Sequence, residues 1–344
     1  MSLASGNLLG SALWSHTLDD YVSALAWSPD AQRVAAGSLA GDAVLVDPVD
    51  GQAVADLPAH PMGVLQAAWS PDGARLATGG QDGVLTLHDR NGRTIATDAF
   101  DRWVSALAWK PDGSLLATGS GRHVRLVEPD GRVVLVSEPT TSTVTSLAWA
   151  VNKRRVAAGC YGGVGWYELE HGPRPTKHFE WKGSILTLAA SPDGRWLTAG
   201  AQDQTVHIWR LWSADELSMQ GYPTKVEHLA WHHTSKWLAV GNLGEITLWD
   251  CAGRGPSGRR PRQLDGHSRH ISALGFQPRG DLLASGGADG LVLLWDSATK
   301  GTDPVAHIET DETVSALAWS PSGDRLIIAA AGGSLTCVAV GPDS

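Results

Sequence analysis

One phrase recurs eight times along the 344 residues, and it constrains the fold more than any other feature. It reads VSALAWSPDAQRVAAGS at 22–38, VLQAAWSPDGARLATGG at 64–80 and VSALAWKPDGSLLATGS at 104–120. Further copies run over 144–160, 185–200, 226–241, 271–287 and 314–330. The aromatic column is Trp27, Trp69, Trp109, Trp149, Trp231, Phe276 and Trp319, with Ala190 in the fifth place, at spacings of 40 to 45 residues. A strand–turn–strand phrase at that interval fits a four-stranded unit repeated around an axis, and it fits no helical repeat.

Each unit parses alike. An inner strand such as 22–28 leads into an SPDG-like turn, whose Pro and Gly carry turn chemistry. A second strand reaches a Gly-rich corner such as Gly79–Gly83. A third strand follows, then a more polar outer strand such as Gln52–Leu57, Arg132–Ser137 or Val305–Ile308, with the alternation of a half-exposed strand. The last unit supplies only three strands before Ser344, and the segment Gly10–Leu18 stands where outer strands stand elsewhere. It is expected to complete the last unit and cover an open edge. Residues before the aromatic are nearly all Ala, and those before them mostly Leu, which predicts tight packing near an axis.

QTVHIWR at 204–210, EITLWD at 245–250 and LVLLWD at 291–296 end the third strands of their units. With GH at 266–267 and ASGGADG at 284–290, they make the chain resemble the WD40 repeat family over nearly its whole length. The resemblance implies an all-β fold: a single eight-bladed β-propeller of four-stranded blades over residues 1–344, closed by the N-terminal outer strand in the last blade. It also implies a hydrogen-bonded tetrad in the seventh repeat, His267, Ser285, Asp289 and Trp295. The second repeat is similar in His60, Thr78 and Asp82, with His88 in the Trp place. The fifth keeps Thr198, Asp203 and Trp209, with Trp181 in the His place. A Ser/His/Asp grouping invites a hydrolase reading. No G-x-S-x-G elbow or oxyanion-hole sequence accompanies it, and a buried bracing network explains it better.

The family's usual partner surface is the face built from the lead-ins to the inner strands and the corners after the second strands. The lead-in positions and those two residues on include Tyr21, Leu65, Trp103, Leu186, Lys225, Glu227 and His270, and these are the candidate partner-binding residues. Tyr21 and Trp103 are rigid amphipathic anchors. Lys225, Glu227 and His270 would set polar register, and Leu65 and Leu186 would add apolar contact. Gln81 and Gln202 occupy equivalent corners. The opposite face has the long segment CAGRGPSGRRPR at 251–262, either a solvated loop or a site for phosphate or an acidic protein.

The expected function is a non-catalytic scaffold for a protein or peptide partner, with no catalytic residue, cofactor or metal. The alternatives are a metal-dependent hydrolase sited in the channel and a binding module for acidic or phosphorylated ligands. The first would need converging carboxylates or imidazoles, whereas the near-axis columns are Ala, Leu, Ser and Thr. His228, His232 and His233 cluster within one repeat and make no closed site. A formal net charge of −9 disfavours sequence-independent nucleic-acid binding. Cys160, Cys251 and Cys337 show neither metal spacing nor a disulfide framework, so a reducing compartment is expected. The N-terminal stretch has no basic flank or long apolar run, and no segment reaches the length of a membrane span. These features predict a cytoplasmic protein with no membrane contact.

Overall fold

The repeated phrase folds the same way wherever it occurs in the computed structural model, which describes residues 3–4, 8–150, 154–213 and 215–341. In the first repeat the strand Val22–Trp27 pairs antiparallel with Val34–Ser38, which pairs with Ala43–Val46, which pairs with Ala53–Asp56. The second strands are fully buried and the outer strands largely exposed, as the hydropathy of each predicts. The serine of the turn explains its recurrence. Ser28 Oγ accepts from the backbone N–H of Gln32 and Arg33 (3.1 and 2.9 Å), and Ser70 Oγ accepts from Arg75 N–H (2.9 Å). The position-151–153 part of the fourth repeat's turn lies outside the described residues.

The expectation of an eight-bladed ring of separate four-stranded blades is corrected by the hydrogen bonding. The described strands form seven sheets: five of four strands, one of five and one of six. Counted as sheets, the propeller is seven-bladed. The reason lies in two strands of 14 residues, Arg155–Glu168 and Lys177–Ala190. The first runs through the corner at Tyr161–Gly163 without losing strand character, and the second runs through Gly183 into the inner strand of the fifth repeat. The fourth and fifth repeats therefore share the six-stranded sheet. In the five-stranded sheet, Leu3–Ala4 adds to the edge strand Ala306–Glu309.

The chain ends meet. Leu9–Thr17 pairs antiparallel with Ser334–Val340, with Ala12 opposite Val338 and Thr17 opposite Ser334. Trp14 is buried and donates its indole N–H to Pro48 O at 2.8 Å. It belongs to a cluster with Val22, Val44, Ile327 and Cys337, so one core spans the last repeat and the first.

Two columns tie neighbouring repeats. The indole N–H groups of Trp27, Trp69, Trp109, Trp149, Trp231 and Trp319 donate to carbonyls of the preceding repeat, at 2.8–3.3 Å. Each acceptor is the small residue just before that repeat's aromatic position. The hydroxyls of Ser23, Ser105, Thr145 and Ser272 donate forward to the carbonyls of Val64, Val144, Ile185 and Val314. Burial, indole ties and hydroxyl ties together hold neighbouring repeats against one another. No helix of the described residues is long and apolar enough to cross a membrane.

Candidate functional site

The face that bears the lead-ins is held together by backbone bonds between loops. The N–H groups of Leu39, Gln81, Gln202, Ala288 and Ala331 donate to the carbonyls of Tyr21, Gly63, Ser184, His270 and Thr313, at 2.9 Å in each case. Corner and lead-in therefore lie side by side, and a side chain at either position stands on a fixed platform.

On this platform Tyr21, Lys225, Glu227 and His270 line one cavity of about 540 Å³, together with His228, Asn242, Leu243 and Ser272. The cavity brings together the first, sixth and seventh repeats. Tyr21 is half-buried, and burial raises its phenol pKa. Lys225 Nζ donates to Glu227 Oε1 at 2.9 Å, a pair about half exposed on both sides. Such a pair adds little to stability and leaves both charges reachable. Burial pushes the His228 pKa down, His270 and Lys225 add to this, and Glu227 opposes it. Trp103 is 56% exposed. It does not line the cavity, and neither do Leu65 and Leu186, which are half-buried.

Sequence reasoning missed the residue that fixes this cavity's rim. Asn242 Nδ2 donates to Thr224 O and Lys225 O (3.0 and 3.1 Å). Its Oδ1 accepts from Thr224 Oγ1 and Leu243 N–H, at 2.9 Å each. An Asn in a corner next to Gly241 is the only signal the sequence offers for this. Exposed apolar side chains also stand at Leu39, Met62, Tyr161 and Leu243, of which Leu243 lines the cavity.

The tetrad residues of the seventh repeat come together. His267 Nε2 lies 2.8 Å from Ser285 Oγ, which accepts from Trp295 Nε1 at 2.9 Å. His267 Nδ1 lies 3.1 Å from Asp289 Oδ1. Burial opposes ionisation of Asp289, but hydrogen bonds from His267 and from the backbone at Ser268 and Leu291 outweigh it and hold the carboxyl low. In the second repeat Thr78 Oγ1 sits between His60 Nε2 (3.0 Å) and His88 Nε2 (3.2 Å). The fifth repeat departs from the expected set. Trp181 Nε1 donates to Asp203 Oδ2 at 3.1 Å, but buried Thr198 Oγ1 has no partner. Asp203 turns instead to Thr205, which reaches His207. The larger indole fills the His place and the His207 ring packs against it at a tilt of 50°, with ring centroids 3.9 Å apart.

Among the described residues no group of three or more His, Cys, Asp or Glu is placed to hold a metal ion. The three cysteines are buried and unpaired, and burial pushes Cys251 up to about 12 and Cys337 to about 11. Such thiols are poor nucleophiles.

A closed ring of sheets around a loop-lined cavity defines a β-propeller of the repeat class. The chain belongs to the WD40 family: the "WD domain, G-beta repeat" family matches residues 8–46, 51–89, 92–128, 174–210 and 258–296, more than half of its length. Among curated proteins it is 29% identical over 164 residues to Protein HIR1 of Cryptococcus neoformans, covering 41% of this chain and 18% of that protein. It is 31% identical over 162 residues to cell division cycle 20.1, cofactor of APC complex, of Arabidopsis thaliana, covering 45% of this chain and 34% of that protein. The chain thus spans a minor part of these relatives. In solved structures it is similar to the computationally designed Ika8 protein, with TM-score 0.82, 20% identity and coverage of 96% of this chain and 100% of that one. It is also similar to the C-terminal WD40 domain of Sif2, with TM-score 0.82, 20% identity and coverage of 97% and 99%. These two likenesses concern the fold alone.

Proposed function

We propose that the chain is a non-catalytic interaction scaffold that binds a protein or peptide partner on the face bearing Tyr21 and Trp103. The observation that carries this reading is the cavity of about 540 Å³ on this face, where Tyr21, Lys225, Glu227 and His270 converge from three repeats. Leu243 lines it, and Leu39, Met62, Trp103 and Tyr161 are exposed at lead-ins and corners of other repeats. Large apolar side chains on the face that bears a polar pocket suit protein recognition, with aromatic anchors supplying area at low entropic cost. The relative named as a cofactor of the APC complex is consistent with such a role. Three buried thiols are consistent with a cytoplasmic setting.

The test is affinity capture with the wild-type chain and with a Tyr21→Ala, Trp103→Ala double variant, each confirmed folded by circular dichroism. The captured protein is then titrated by calorimetry. The double variant is expected to bind more weakly by about 2 kcal/mol or more. Equal affinity would move the binding surface elsewhere.

A further inference from the structure

We propose that the opposite face carries a second docking site, formed by Trp212, Arg195, Arg210 and the 251–260 loop, and that it takes an acidic peptide segment of a protein partner. Trp212 is 60% exposed, large for an indole on a monomer surface. The guanidinium groups of Arg195 and Arg210 lie 5.5 and 5.6 Å from its ring centroid. Arg210 is also 5.1 Å from the buried Trp196 ring, so it is held between two indoles.

The loop is built, not loose. Arg195 donates to Gly253 O at 2.7 Å and Arg210 to Arg254 O at 3.1 Å. Arg259 donates to Ala252 O at 3.1 Å. Gly255, at φ +90°, lies flat on Trp196: a Cβ there would sit 2.7 Å from the ring. With these bonds the surface is preorganised, and little ordering cost remains on binding.

Charge decides the occupant. The contiguous loops 191–195, 210–215, 232–236 and 250–260 carry six cations (Arg195, Arg210, Lys236, Arg254, Arg259, Arg260) against three carboxylates (Asp193, Asp215, Asp250). Those carboxylates are engaged by Arg195, Arg210 and Arg259. Arg254 and Arg260 are exposed and have no ion pair among the described residues. A positive patch on a chain of net charge −9 attracts a short acidic segment, while the rest of the surface repels an extended polyanion. Carboxylates would meet the free guanidinium groups, and an apolar side chain would lie on Trp212. This site is independent of the Tyr21 face.

The full chain is titrated, by fluorescence anisotropy, into a labelled peptide of about twelve residues, rich in Glu with one central Phe. An oligothymidine of about twelve nucleotides serves as the competing ligand class. Charge reversal with Arg254→Glu and Arg260→Glu is expected to weaken peptide binding about tenfold or more, and raising salt should weaken the wild type. Trp212→Ala should weaken it several-fold and Trp212→Phe much less, while Tyr21→Ala with Trp103→Ala leaves it unchanged. The proposal is overturned by a wild-type Kd above about 1 mM, by equal affinity in the folded Arg variant, by loss in the Tyr21/Trp103 variant, or by tighter binding of the oligonucleotide.

Discussion

Trp27 donates its indole N–H to the carbonyl of Ala318 at 3.0 Å, across 291 positions of sequence. The bond links the first repeat to the last, next to the pairing of Leu9–Thr17 with Ser334–Val340. The same bond recurs at five other places around the ring, and it fails only where Phe276 and Ala190 replace Trp. An aromatic column that looks like packing is thus also a polar tie. Its acceptor is always the small residue, Ala or Gly, that lets the indole approach.

Replacing Trp27 by Phe keeps most of the apolar volume and removes the donor. The Ala318 carbonyl then loses a partner in a partly buried place. The variant is expected to lose about 1 kcal/mol in urea unfolding, with an unchanged m-value. Phe276 shows that the position tolerates the ring itself. A stability equal to wild type would mean that packing alone carries this column.

The repeat phrase made the strand order, the turns and the N-terminal closure readable, because each rests on local periodicity or on one missing partner. The merging of the fourth and fifth repeats was not readable. It depends on whether the chain stays extended through Tyr161–Gly163 and Gly183, and glycines permit either outcome. Of the seven residues read from the lead-in positions and those two residues on, Tyr21, Lys225, Glu227 and His270 line one cavity, while Leu65, Trp103 and Leu186 do not. Asn242 and the Trp212–Arg210 contact were not readable, since each is a side-chain contact within one repeat at positions that no repeated column marks. Thr198 is a separate case: a matched column does not reveal that the Trp181 indole, with one N–H given to Asp203, has no second nitrogen for Thr198.

Trp14 is the hinge between the closure and the core. It is buried, bonded to Pro48 O and pressed against Gly51, where a Cβ would come within 2.6 Å of the ring. Trp14→Ala should cost about 3–5 kcal/mol, seen as a lower thermal midpoint. Deletion through Leu18 should add an exposed edge at Ser334–Val340 and promote self-association in light scattering. A full-length midpoint in either variant would contradict the role given to this strand.

Ala31 stands in a left-handed conformation at φ 58°, where equivalent turns have Gly73, Gly113, Gly194 and Gly323 at φ 68–81°. Each of these residues donates its N–H to the carbonyl three positions back, so the turn geometry is shared. A Cβ is disfavoured there, and Ala31→Gly removes the clash at some cost in unfolded-chain entropy. The variant is expected to be more stable by about 0.5–1 kcal/mol in chemical denaturation. A loss of stability would show that Ala31 makes a contact that outweighs the strain.

His88 links the tetrad of the second repeat to pH. It is fully buried beside Thr78, in the place that Trp295 holds in the seventh repeat. Burial, reinforced by nearby His60, lowers its pKa to about 4 from the usual imidazole value near 6.5. The unfolded chain therefore binds a proton between these values that the folded chain refuses. Stability from this source is complete above pH 6.5 and is lost as pH falls towards 4, by on the order of 3 kcal/mol. His88→Trp supplies an indole donor to Thr78 and cannot titrate. Urea unfolding of both chains at a series of pH values between 4 and 7 should give a steeper acid loss for the wild type. Carboxylates contribute alike to both chains, so the difference isolates His88. Parallel pH profiles would mean that His88 protonates in the folded protein as readily as in the unfolded chain.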